Sequence, residues 1–104
     1  MPKIENATIT KKANIYFDGK VTSRKIELNN GSIKTLGVML PGDYEFSTEA
    51  AEVMEILAGE LEVKLPNNDT WQFIQGGQSF NVPKNAKFQL KIKSITDYCC
   101  SYIV

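Results

Sequence analysis

Short runs of alternating apolar and polar residues extend along the chain from Tyr16 onward. In residues 61–65 the apolar side chains would point to one side of a strand and the charged ones to the other, and residues 80–82 and 88–93 repeat the pattern. A period of two is typical of β-strands with one buried face. The predicted buried positions are Leu61, Val63, Leu65, Phe88, Leu90 and Ile92.

Glycine, proline and asparagine interrupt these runs at short intervals. The Asn-Asn-Gly sequence that ends at Gly31 predicts a hairpin between residues 24–28 and residues 32–40. Asn85 is suited to a tight turn because asparagine tolerates positive φ. Residues 47–51 leave room for one helical turn, and no longer helical period is present. The sequence therefore predicts an all-β fold, a small sandwich or barrel.

A chain of 104 residues corresponds to one domain. Residues 1–13 are polar and are expected to form a loose arm or an edge strand, and residues 14–104 to form the domain. Equal numbers of basic and acidic residues, 12 of each, argue against a nucleic-acid partner. No apolar stretch reaches the length of a signal peptide or a membrane span, so a cytoplasmic protein that does not enter a membrane is expected.

The chemistry open to the chain is limited because it has no histidine. Histidine-based metal sites, Ser-His-Asp triads and Cys-His catalysis are excluded. Cys99 and Cys100 are adjacent, a spacing that rarely permits a disulfide. A reduced, half-buried pair on a terminal strand is the simpler interpretation, and a reactive or redox-sensing thiol is the alternative.

Residues 77–88 resemble the second sequence motif of the cupin superfamily. The position that is normally a metal-ligating histidine is Phe88 here. Pro41, Gly42, Glu52 and Gly59 resemble parts of the first cupin motif, but residues 46–50 contain no histidine. Glu52 alone supplies too few ligands for a transition metal, so no metal is expected.

A closer resemblance, to the small pyrimidine/purine nucleoside phosphorylase family, covers residues 14–103. It is carried by residues 16–21, 37–39, 41–48, 52–54, 59–63, 65–66, 71–72, 80–83 and 98–102. The chain departs from that pattern in its N-terminal arm and in residues 25–34, which are expected to lie apart from the matched core.

The family resemblance implies a single small cupin-like jelly-roll barrel, usually a homodimer. It implies an enzyme that cleaves both purine and pyrimidine nucleosides with inorganic phosphate as co-substrate. The products are the free base and a pentose 1-phosphate, and no metal or other cofactor is implied.

Phosphorolysis requires groups that hold phosphate and stabilise a cationic sugar. Lys20 supplies a positive charge for phosphate, and Ser47 and Thr48 supply hydroxyls, although both could instead belong to a solvated turn. The alternation places Glu52 on the same face as Met54, at the barrel mouth. Its carboxylate could bind the ribose or stabilise the transition state, or it could be a structural group tied to main-chain amides.

Aromatic rings are the candidates for stacking on a base, and core packing is the alternative for each of them. Tyr44 and Tyr102 are preferred because buried hydroxyls need hydrogen-bond partners and could donate to the substrate, Tyr44 as a catalytic residue. Phe88 is a further candidate for substrate binding. The donor to the leaving base is left open among water, a tyrosine and a glutamate of raised pKa, with Gln72 as a neutral donor.

Two other functions remain possible from the residues alone. A non-catalytic barrel could hold a sugar or nucleotide without cleaving it, and a structural dimer module would bind no ligand. Polar groups at the barrel mouth favour catalysis over both alternatives.

Overall fold

A computed structural model describes residues 3–103, so Met1 and Pro2 of the predicted arm and Val104 of the predicted domain lie outside it. The described part contains eleven β-strands and one short 3-10 helical turn at Phe17–Gly19. The strands are β1 Thr8–Ile9, β2 Asn14–Tyr16, β3 Val21–Glu27, β4 Ile33–Met39, β5 Gly42–Ser47, β6 Ala51–Ala58, β7 Glu60–Lys64, β8 Gln72–Gln75, β9 Ser79–Val82, β10 Lys87–Ile92 and β11 Thr96–Ile103.

The strands form two antiparallel sheets. The larger has the order β1-β3-β4-β11-β6-β9, with β2 also paired to β3, and the smaller has the order β5-β10-β7-β8. The all-β prediction is confirmed. No helix in residues 3–103 has the length and apolar character that crossing a membrane would require.

The hydrophobic core lies between the facing sides of the two sheets. Leu61, Val63, Phe88 and Leu90 of the smaller sheet have 3% or less of their surface exposed. Ile92 is also buried, and Leu65 packs against the core while partly exposed. The period of two in the sequence thus identified this face correctly, because alternate side chains of a strand point to opposite sides.

The predicted hairpin after Leu28 is confirmed. The main-chain N–H of Leu28 donates to the carbonyl oxygen of Ser32 at 2.9 Å, and the N–H of Gly31 donates to the carbonyl oxygen of Leu28 at 3.0 Å. However, the expectation that residues 25–34 lie apart from the core was wrong. β3 and β4 pair along their whole length, and β4 pairs on its other side with β11, so the hairpin supplies two strands of the larger sheet.

The structure also decides between alternatives at two other segments. Part of the N-terminal arm is an edge strand, because β1 pairs with Ile26 and Glu27 of β3. Residues 48–50 form a bend rather than the helical turn considered for residues 47–51. Asn85 has a φ of 53°, as the turn prediction required.

Candidate functional site

A pocket of about 190 Å³ opens between the two sheets. The inner face of the larger sheet supplies most of its polar lining, and the smaller sheet supplies Phe46, Ser47 and Phe88. The polar residues from the larger sheet are Tyr16, Ser23, Thr35, Glu52, Tyr98, Cys100 and Tyr102.

Strand register explains why these polar side chains share one wall. Cys100 on the central strand β11 is paired with Thr35 on β4 and with Met54 on β6. Tyr102, two residues farther along β11, is paired with Glu52. Because residues two apart on a strand face the same side, Cys100, Tyr102 and Glu52 are neighbours on the pocket face.

Tyr98 lies on the same face, two residues before Cys100, and its ring crosses β4. Its hydroxyl donates to the main-chain carbonyl of Thr22 at 3.3 Å. Gly37 provides the room for the ring, since a β-carbon at that position would be 2.7 Å from the tyrosine oxygen. Burial raises the pKa of Tyr98 well above its ordinary value, so this hydroxyl stays protonated.

Glu52 is half-buried at the pocket wall. Burial raises the pKa of its carboxyl group above the ordinary value for glutamate, while hydrogen bonding to Cys100 opposes that rise. A carboxylate in such a place can accept hydrogen bonds from sugar hydroxyls or lie close to a developing positive charge.

The two groups next to Glu52 on β11 are proton donors at neutral pH. Burial and the neighbouring Glu52 raise the pKa of the Cys100 thiol to about 12. Burial raises the pKa of Tyr102 to about 12, although hydrogen bonding to Thr35 acts in the opposite direction. The wall therefore presents one acid beside uncharged thiol and hydroxyl groups.

Aromatic rings form the opposite wall of the pocket. Phe46 and Phe88, paired in register on β5 and β10, stack with ring centroids 5.7 Å apart. The ring of Phe17 packs edge-on against that of Phe46, with centroids 5.5 Å apart, and its centroid is 4.9 Å from that of Tyr44. Phe17 thereby connects the turn after β2 to the smaller sheet.

The turn that carries Phe17 has an unusual backbone. Phe17, Asp18 and Gly19 have φ values of 50°, 56° and 91°, and positive φ is uncommon for a bulky residue such as phenylalanine. The turn follows directly on Tyr16, which lines the pocket. Contacts of Phe17 with two rings of the smaller sheet stabilise this conformation and so hold the edge of the pocket.

Four of the eight residues predicted for the site line this pocket. They are Ser47, Glu52, Phe88 and Tyr102. Glu52 shares its face with Met54 and Ile56, as the alternation predicted, and both of those residues are buried. The roles of these four residues stay predictions.

The other four predicted residues do not line the pocket. The hydroxyl of Tyr44 donates to the carbonyl of Leu40 at 2.7 Å. Thr48 is buried, and its hydroxyl donates to the carbonyl of Pro83 at 2.6 Å. Lys20 and Gln72 are exposed, the first directly after the turn at Phe17–Gly19 and the second at the start of β8. Their catalytic and substrate-binding roles also stay predictions.

Sequence reasoning did not select Ser23, Thr35 or Cys100 for the site. Ser23 and Thr35 flank residues 25–34, the segment that was expected to lie apart from the matched core. Cys100 could have been found, because alternation along β11 places it on the same face as Tyr102.

The donor set of the pocket does not fit the metal centre common among cupins. Glu52 and Cys100 are the possible ligands there, and a transition metal requires more. Elsewhere in residues 3–103, no three His, Cys, Asp or Glu side chains come together as a metal site would need.

Comparison with known proteins gives consistent results. A family profile described as pyrimidine/purine nucleoside phosphorylase matches residues 11–102. A protein of that name from Geotalea uraniireducens (strain Rf4) is 60% identical over 103 residues, covering 99% of both chains. Another from Sulfurovum sp. (strain NBC37-1) is 59% identical and covers 99% of this chain and all of its own length.

Solved structures show the same fold. A protein of unknown function from Acinetobacter sp. ADP1 superposes with a TM-score of 0.94 at 36% identity, covering 97% of this chain and 98% of its own. An RmlC-like cupin from Shewanella frigidimarina superposes with a TM-score of 0.70 at 14% identity, covering 88% and 81%. The second likeness shows that the fold is cupin-like.

Proposed function

The chain belongs to the pyrimidine/purine nucleoside phosphorylase family, and we propose that it transfers the pentose of both purine and pyrimidine nucleosides to inorganic phosphate without a metal ion. The glycosidic C–N bond breaks, a bond forms between the anomeric carbon and a phosphate oxygen, and the base leaves with a proton. The products are the free base and a pentose 1-phosphate.

The observation that carries this proposal is the division of the pocket into two unlike walls. Glu52, Tyr102 and Cys100 offer an acceptor and donors to a sugar on one side. Phe46 and Phe88 offer apolar ring surface to a base on the other. A nucleoside has the same two halves.

Glu52 is the residue proposed to stabilise the transition state. As the C–N bond lengthens, positive charge develops on the sugar, and a partly desolvated carboxylate interacts with that charge more strongly than it would in water. Tyr102 and Ser47 are proposed to position the sugar hydroxyls. These assignments draw on the four predicted residues that line the pocket.

The aromatic wall favours a broad range of bases. Every base has a π-face, so stacking on Phe88 discriminates little, whereas hydrogen bonds to base edges would select one base. We therefore propose that purine and pyrimidine nucleosides are both accepted.

A direct test is to incubate the protein with EDTA, phosphate and a panel of uridine, inosine, adenosine and guanosine, beside a phosphate-free control. Chromatography should show phosphate-dependent release of several bases together with ribose 1-phosphate. Release that EDTA abolishes would overturn the metal-free part of the proposal. No release on any nucleoside by a folded protein would favour a non-catalytic barrel that holds a sugar or nucleotide.

We also propose a cytoplasmic homodimer. Cys99 and Cys100 are both unpaired and buried, which suits a reducing compartment. Strands β5, β8 and β9 lie at sheet edges, and an edge can be covered by a second copy. Light scattering at micromolar concentration should give twice the monomer mass, and a monomer would contradict this part of the proposal.

A further inference from the structure

Phosphorolysis requires a site for an anion, yet the residues that line the pocket include neither lysine nor arginine. Glu52 is the acidic group among them. Inorganic phosphate is bound most strongly by charge-assisted hydrogen bonds from lysine or arginine, supported by hydroxyl and amide donors. A cation next to the pocket, on a strand that also contributes hydroxyls to its wall, would complete such a site.

Strand β3 meets this requirement at Lys25. Lys25 is paired in register with Thr35, and Thr35 lines the pocket. It also follows Ser23, another pocket residue, by two positions, so alternation puts Lys25 on the pocket face. The β-carbons of directly opposed residues are about 4.5–5.5 Å apart, which a lysine side chain easily spans.

Two hydroxyl groups lie beside this lysine in the pocket wall. Ser23 and Thr35 are buried, with 5% and 8% of their surface exposed. The oxygen of Ser23 accepts a hydrogen bond from the side-chain amide of Asn14 at 3.2 Å. A hydroxyl whose oxygen already accepts a bond can direct its own hydrogen to a ligand.

We propose that Lys25, together with the hydroxyls of Ser23 and Thr35, forms the phosphate subsite of this pocket. The subsite lies at the β3 side of the larger sheet, whereas Glu52 lies on β6, three strands away in the order β3-β4-β11-β6. Neighbouring strands are about 4.8 Å apart, so the arrangement separates the phosphate from the carboxylate and leaves the sugar between them.

The acidic group nearest to the proposed subsite on β3 is Glu27. It follows Lys25 by two positions on the same face and is paired with Ile33 at the end of the strand. A rise of about 3.3 Å per residue places it roughly 7 Å farther from the pocket along the strand. The phosphate would therefore lie between Lys25 and the hydroxyls, on the side away from Glu27.

Other lysines are placed less suitably for this pocket. Lys87 is paired in register with the pocket residue Ser47, but it shares a groove with the carboxylates of Glu45 and Asp69 on the outer side of the smaller sheet. Lys34 belongs to a groove formed with the N-terminal arm. Lys20 is next to Val21, and Val21 is paired with Met39, which is four positions from Thr35 on β4.

The inference rests on the proposed phosphorolysis, so the wild-type protein is assayed first. If it releases no base in the presence of phosphate, the proposed function fails before the subsite is tested. If it is active, Lys25→Met is compared with the wild type by varying phosphate at saturating nucleoside, and then nucleoside at saturating phosphate. We expect the KM for phosphate to rise roughly 10–100-fold, with the KM for nucleoside nearly unchanged.

The neighbouring residue provides the matched control. Arg24 is exposed, as Lys25 is, but it lies on the other face of β3, where its Nε donates to the carbonyl of Lys11 at 3.1 Å. Arg24→Met removes the same charge and should leave the KM for phosphate unchanged. Lys25→Arg should keep most of the phosphate affinity, because either cation can bind the anion.

Ser23→Ala should give a smaller rise in the KM for phosphate, since it removes one neutral donor. Circular dichroism and melting temperature verify that each variant is folded. An unchanged phosphate KM in folded Lys25→Met would overturn the inference, as would equal effects of Arg24→Met and Lys25→Met. Lys84→Met, in the turn after Pro83, is a further comparison. A rise in the KM for phosphate in that variant alone would place the anion at the other side of the pocket and would also overturn the inference.

Discussion

The hydroxyl of Tyr98 donates a hydrogen bond to the main-chain carbonyl oxygen of Thr22 at 3.3 Å. The two residues belong to β11 and β3, and β4 runs between them. The ring can cross because the residue beneath it is Gly37, which is paired with Tyr98 on one side and with Ser23 on the other. This contact fixes a large side chain in the floor of the pocket.

Gly37→Ala is expected to disturb both stability and activity. The added carbon would collide with the carbonyl oxygen of Thr22 and would be 2.7 Å from the oxygen of Tyr98. Forced overpacking of this kind costs about 1–3 kcal/mol, so the midpoint of urea denaturation should fall. Because Tyr98 must move, nucleoside phosphorolysis should fall as well.

Gly31→Ala is the comparison for this variant. Gly31 has a φ of 87°, and a β-carbon there would have nothing within 4 Å. The change should cost about 1–2 kcal/mol through the backbone alone and leave the activity of the folded protein intact. Full activity in Gly37→Ala would contradict the role assigned to the Tyr98 contact.

Glu52→Gln is expected to lower kcat about 100-fold or more, because a neutral amide cannot stabilise the developing positive charge as a carboxylate does. The same change should not unfold the protein.

Burial raises the pKa of Glu52, so the folded state holds this proton more tightly than the unfolded state. That contribution to stability is complete below the ordinary glutamate pKa and is lost as the pH rises through the raised pKa.

As the pH rises from about 4 upward, the loss of this contribution should lower the melting temperature of the wild type. Glu52→Gln should not show this part of the fall. Glu49→Gln is the control, since Glu49 is exposed in the bend at residues 48–50. It should retain both the activity and the pH dependence of the wild type. An unchanged kcat in Glu52→Gln would remove Glu52 from the mechanism.

Cys100→Ala is expected to change the pH dependence of the reaction. Hydrogen bonding to Cys100 lowers the pKa of Glu52, so its removal should raise that pKa further. If the ionised carboxylate is the active form, the acid limb of the kcat profile moves to higher pH. Cys100→Ser retains a donor and should restore most of the wild-type profile.

The adjacent cysteine is a control for this experiment. Cys99 is also buried, but it lies on the other face of β11, where it is paired with Leu36 and Glu55. Cys99→Ala should leave the pH profile where it is in the wild type. Equal displacement of the profile by both alanine variants would indicate a general loss of packing instead.

Thr48→Val is expected to reduce stability rather than phosphate binding. The hydroxyl of Thr48 donates to Pro83 at 2.6 Å and accepts from the main-chain N–H of Ala86 at 3.1 Å. Loss of these bonds leaves buried main-chain groups without a partner and should cost about 1–3 kcal/mol. Thr48→Ser should restore the melting temperature. A rise in the KM for phosphate at unchanged stability would instead support the role predicted from sequence.

The sequence alone supported the strands, the buried face of the smaller sheet and the family. These features are local or repetitive: the alternation of Leu61 and Val63 and the turn at Asn85 each require only a few neighbouring residues. The family resemblance likewise depended on short segments in a fixed order. The lack of histidine argues on chemical grounds against a histidine-ligated cupin metal centre.

What the sequence could not provide was the register between distant strands. Thr35 and Cys100 are 65 positions apart, and only pairing of β4 with β11 makes them neighbours. Pairing of β3 with β4 in turn places residues 25–34 in the larger sheet and Lys25 opposite the pocket residue Thr35. Conversely, Thr48 is in a plausible local position for phosphate, but its hydroxyl is used by main-chain groups after β9.

The sequence by itself determined which residues alternate, where the chain turns and which chemistry is absent, because these depend on side-chain type and short-range geometry. The tertiary structure decided which polar groups share one wall, since that depends on the pairing of strands far apart in the chain. A site assembled from β3, β4, β6 and β11 exists only after those strands are in register.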